Sequence, residues 1–118
     1  MKAPSFLYSF KYAIRGLFHA LRTERNVRFH SCAAIVALAS GLYLGFTWSE
    51  MLYLWTAIFM VLVSEMINTA IEVVVDLVVG DEYHPLAAIA KNVAAGAVLL
   101  AAIYALIVGV YLYTPYIF

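Results

Sequence analysis

The sequence predicts an all-α membrane protein, an N-terminal amphipathic surface helix followed by three transmembrane helices, in a single domain over residues 1–118. Three observations predict it. Hydrophobic residues make up 66% of the chain and mean hydropathy is +0.94, well beyond the roughly 45–50% apolar content of a soluble domain. Three apolar runs each reach the roughly 20 residues needed to cross a bilayer core. The charge is lopsided: seven Lys and Arg balance seven Asp and Glu, yet Lys2, Lys11, Arg15, Arg22, Arg25 and Arg28 all precede residue 30, leaving Lys91 beyond. The one cysteine, Cys32, rules out an intrachain disulfide and reads as a small packing residue.

Residues 1–28 are too polar to span and lack the short apolar core and small-residue cleavage site of a secretory signal. Phe6, Phe10, Ala13, Ile14, Leu17 and Leu21 recur at helical spacing, with Lys11, Arg15 and Arg22 on another face. That pattern predicts a helix lying in the membrane surface, anchored to anionic lipid. The first span is expected over 29–47, with Gly41 and Gly45 at the small-xxx-small spacing of close helix pairs. His30 reads as an interfacial or packing residue. Trp48, Tyr53 and Trp55 then resemble an interfacial aromatic belt.

The second span is expected over 50–79, stopped by Gly80. His84 reads as a cap before Pro85, which suits the first position of the third helix, 85–113. Tyr111 to Phe118 forms an aromatic tail at the far interface. By the positive-inside rule the N-terminus is cytoplasmic, so the loop Gly80–Pro85 is inside and the C-terminus outside. Glu24, Glu72, Asp76 and Lys91 then come to one cytoplasmic boundary from three segments.

The second span carries polar groups that lipid disfavours. At about 100° per residue, Glu65, Asn68, Glu72 and Asp76 project at roughly 0°, −60°, −20° and +20°, so they share one stripe. Such groups facing hydrocarbon cost several kcal/mol, so the stripe must turn toward protein or water. Glu65 lies about 16 Å below Asp76 at 1.5 Å per residue. Carboxylates at a membrane face are hard oxygen ligands suited to Mg²⁺, which also keeps phosphates and waters in its shell. No G-x-x-x-x-G-K-[ST] motif or Gly-rich loop is present, so a P-loop or protein-kinase phosphate grip is excluded. Held out of bulk water, Glu65 is a candidate general base toward a lipid alcohol. A proton or cation pathway is the alternative from another class. Against it, Met51 to Val63 offers only Thr56 as a polar group beyond Glu65.

Read as E-x-x-N-T-A-I-E-x-x-x-D, the stretch from Glu65 to Asp76, with His84-Pro85-Leu86 and Ala90-Lys91, resembles the signature of the small prokaryotic lipid kinases, the diacylglycerol kinase and undecaprenol kinase family. Arg22-Thr23-Glu24-Arg25-Asn26 through His30 is similar to the T-E-R-N-x-x-x-H segment of the undecaprenol kinase branch. Ser9-Phe10-Lys11-Tyr12-Ala13, Gly16 and Ala94-Ala95-Gly96-Ala97-Val98 also fit. This resemblance implies a homotrimer in a bacterial inner membrane, with ATP and Mg²⁺ bound at cytoplasmic sites between subunits. It implies Glu65 as catalytic base and Glu24 and Glu72 as metal ligands. Asn68, Asp76, Lys91 and Tyr12 match nucleotide-site residues, with Glu24 and Glu72 alongside them. Undecaprenol is the expected acceptor, diacylglycerol the alternative. One position departs: the family motif ends Ala-Lys-Asp where this chain has Ala90-Lys91-Asn92. Asn keeps the shape and loses the charge.

Overall fold

The computed structural model describes residues 5–118; the first four residues of the expected 1–28 segment, Lys2 among them, lie outside these. Four helices follow one another: α1 (Phe6–Thr23), α2 (Arg25–Leu44), α3 (Trp48–Val79) and α4 (Pro85–Ile117). The last three are long and apolar enough to cross a membrane. At 1.5 Å per residue α2 reaches about 30 Å, α3 about 48 Å and α4 about 50 Å, the last two past the roughly 30 Å hydrocarbon core. The chain folds back at each turn, so α3 packs along α4, α2 against α3, and α1 against α2.

The first helix, expected through residue 28, ends at Thr23, and Glu24 adopts an extended conformation (φ −105°, ψ 113°) before α2 begins at Arg25. Side chains stabilise this elbow. Thr23 Oγ1 donates back to the His19 carbonyl at 2.8 Å, and Arg28 Nη1 donates to the carbonyls of Leu21 and Arg22 at 3.1 and 2.7 Å. Those carbonyls have no intrahelical partner at a helix end, so a guanidinium reaching back from α2 satisfies them.

Gly45 ends α2 in the left-handed region, φ +80°, and gives a tight reversal into α3. Gly41 is buried where a Cβ would meet Phe46 Cδ2 at 2.9 Å and Met51 Sδ at 3.1 Å. Gly41 therefore lets α2 approach the start of α3 closely, while Gly45 serves the reversal. The helix α3 begins at Trp48, two residues earlier than expected, capped by Thr47 through a reciprocal box with Glu50: Glu50 N donates to Thr47 Oγ1 at 3.2 Å and Thr47 N to Glu50 Oε1 at 2.8 Å.

The core, Leu54, Ala57, Val108 and Leu112, sits at this end of the bundle. In lipid such packing rests on dispersion and close approach more than on the hydrophobic effect. Polar ties reinforce it. Tyr113 Oη lies 2.5 Å from Ser40 Oγ and donates to the Ala37 carbonyl at 3.0 Å. The last helix continues past residue 113, which lets Tyr116 donate to Glu50 Oε1 at 2.5 Å. Phe46 packs between the two tyrosine rings. Two members of the aromatic tail thus turn inward and hold three helices together.

Candidate active site

At the other end of the bundle, α3 displays its polar stripe. Glu65 is 4% exposed, and its Oε1 lies 3.3 Å from Nε2 of His30 on α2. One turn further, Asn68 Nδ2 donates to Glu72 Oε1 at 2.6 Å, the i, i+4 partner on the same face. With the amide nitrogen turned to the carboxylate, Asn68 Oδ1 is buried without a partner. At the end of the stripe Asp76 Oδ1 accepts from Lys91 Nζ at 2.7 Å.

Local chemistry explains that last pair. Gly80, with φ +61°, ends α3 and donates its N–H to the Asp76 carbonyl at 2.8 Å. His84 Nδ1 accepts from Leu86 N at 3.1 Å and starts α4 with Pro85 in its first turn. The short hairpin between these stops brings the last turn of α3 opposite the first turns of α4. Asp76, Gly80, Asp81, Glu82, His84 and Lys91 help line a cleft of about 590 Å³ there.

Two expected site residues stand apart from the stripe. Glu24 occupies the elbow, and its carboxylate makes no capping hydrogen bond. Tyr12 is exposed on α1 with the Arg15 guanidinium 5.8 Å from its ring centroid. Among the described residues, no hydrogen bond or ion pair ties either to α3. His30 is the functional candidate that sequence reasoning passed over as packing. The available signal was a polar ring at the start of one span, facing the polar stripe of the next.

The donor set suits Mg²⁺. Among the described residues no three His, Cys, Asp or Glu side chains converge, but Mg²⁺ beside substrate phosphates needs only one or two carboxylates and keeps waters for the rest. Glu72 with the unpartnered Asn68 Oδ1 provides two hard oxygen donors of that kind.

The sequence pattern described as "Prokaryotic diacylglycerol kinase" matches residues 11–113, a stretch from α1 into α4 that includes Tyr12, Glu24, His30, the α3 stripe and Lys91. The chain belongs to the prokaryotic diacylglycerol kinase family. It is 50% identical over 115 residues to the diacylglycerol kinase of Synechocystis, covering 96% of this chain and 65% of that protein. It is 40% identical over 110 residues to the undecaprenol kinase of Bacillus subtilis, covering 93% and 89%. Against the diacylglycerol kinase of Escherichia coli it is 34% identical over 96 residues, covering 81% and 78%. The chain thus spans just under two thirds of the cyanobacterial relative and most of the other two. The family is one of membrane lipid kinases, and its relatives differ in the lipid that their names specify.

Proposed function

We propose that this diacylglycerol kinase family member transfers the γ-phosphate of ATP to the hydroxyl of a membrane lipid alcohol, undecaprenol first among candidates. The observation that carries the reading is the graded stripe of α3: a buried carboxylate at depth, an amide and carboxylate pair above it, and an Asp76–Lys91 pair at a polar cleft. The lipid hydroxyl belongs at Glu65, reached from the bilayer; the nucleotide belongs at the hairpin end.

In the transfer, the hydroxyl oxygen forms a bond to the γ-phosphorus and the bond to the bridging oxygen of ADP breaks, its electron pair leaving with ADP. Glu65 takes the hydroxyl proton. Lys91 presents a point charge to the phosphates, oriented by Asp76. Glu72 and Asn68 Oδ1 would hold Mg²⁺, with Glu24 as a further ligand, and the ion would supply charge neutralisation at the phosphates. Catalysis of this kind is mainly positioning and charge stabilisation.

Undecaprenol is favoured by Thr23-Glu24-Arg25-Asn26 and His30, and by a relative of that name aligned over nearly its whole length. Diacylglycerol is the second reading because the Synechocystis relative bears that name. The orientation proposed puts the N-terminus and the cleft in the cytoplasm, where ATP is available, on the evidence of the basic N-terminal segment. A homotrimer with sites completed by neighbouring copies would give Glu24 and Tyr12 a place.

The test is transfer of radiolabelled γ-phosphate to undecaprenol and to diacylglycerol side by side, with and without Mg²⁺. Undecaprenol should be labelled faster, and only with the metal. Glu65→Gln is expected to cut turnover by about 10²-fold or more while ATP binding persists. A variant that still turns over would refute the base assignment.

A further inference from the structure

His30 is the polar partner of the buried acid. Its Nε2 lies 3.3 Å from Glu65 Oε1, and no other side chain among the described residues hydrogen-bonds or ion-pairs with Glu65. The two stand at ion-pair distance, and because a carboxylate offers only acceptors, any hydrogen bond between them would be donated from Nε2. The ring itself is braced. Phe29 meets it edge to face with centroids 5.4 Å apart. His30 also lines an apolar groove of about 200 Å³ between α2, α3 and α4, together with small residues such as Ala33, Ala37, Ala57 and Gly109. The terminal torsion of a glutamate is broad and roughly two-fold, so a free carboxylate does not choose an aim by itself.

We propose that His30 is a positioning residue: by engaging one oxygen of Glu65 it fixes the carboxylate plane and leaves the other oxygen to receive the proton of the lipid hydroxyl. The groove reaches the imidazole, with the carboxylate 3.3 Å beyond Nε2. This inference rests on Glu65 acting as the base. The proton still passes from the hydroxyl to Glu65, and His30 neither gains nor loses one in the step.

Three variants of the full chain in lipid vesicles test it by labelled phosphate transfer to undecaprenol. His30→Leu retains apolar bulk and removes the donor; kcat should fall about tenfold to a hundredfold, the scale of a misplaced reacting group, with the KM for ATP within about twofold. His30→Gln restores a donor and should recover most of kcat, which a purely structural role would not require. Glu65→Gln should be inactive. Full kcat in His30→Leu, a glutamine variant as slow as the leucine variant, or a loss carried by the KM for ATP would each overturn the role of His30 while leaving an inactive Glu65→Gln to support the base. Turnover retained in Glu65→Gln would remove the base reading, and the inference with it.

Discussion

Asn92 is the residue at which this chain leaves its family's motif, and the structure narrows what the change can affect. A carboxylate at 92 is not needed to orient Lys91, because Asp76 already accepts from its ammonium at 2.7 Å. What remains is the charge itself, beside a site that must gather Mg²⁺ and phosphates. Asn92→Asp is therefore expected to raise ATP turnover on a lipid alcohol, read with purified protein at limiting Mg²⁺. Unchanged turnover would mean that charge at this position is idle. His30 illustrates the opposite limit of residue-level reading. Its identity was visible, but its partner on α3 lies 35 positions away, and no local pattern joins them.

At the scale of elements, the bundle is firm at one end and open at the other. Leu54, Ala57, Val108 and Leu112 pack beside the Ser40, Ala37 and Tyr113 contacts, while at the opposite end Asp76 and Lys91 line an open cleft. Tyr113→Phe should destabilise the protein by about 1 kcal/mol, the net worth of a typical intramolecular hydrogen bond, and leave the KM for ATP unchanged. Thermal unfolding in detergent together with the kinetic assay separates the two effects. The three long helices, the stop at Gly80 and the cap at His84 were legible because hydropathy and glycine, proline and capping residues mark them locally. The elbow at Glu24 was not. It contains neither Gly nor Pro, and it is held by Arg28 reaching six and seven residues back, a contact that periodicity does not report. The stripe was legible as a face of one helix, whereas the approach of Lys91 to Asp76 needed the hairpin geometry.

For the whole molecule, the uncovered surface matters most. Leu77, Val78, Leu86, Val93, Leu100 and Leu106 are each more than 65% exposed, an apolar surface that water would not tolerate and that lipid or other copies must cover. We expect a homotrimer, so the mass of the detergent-solubilised protein, corrected for bound detergent, should correspond to three chains of 13.1 kDa. A monodisperse single-chain mass would remove the composite site. The unbroken course of α3 has a further consequence. Because Glu65, Asn68, Glu72 and Asp76 ride one continuous screw, the separation of the two reacting partners is a matter of counting residues. A single residue inserted after Asn68 would swing Glu72 and Asp76 by about 100° while lengthening the span by only about 1.5 Å, and phosphate transfer should cease. Four inserted residues would bring the same groups back to within about 40° of their bearing but about 6 Å farther from Glu65. The helix therefore acts as a vernier, with angle and reach locked together.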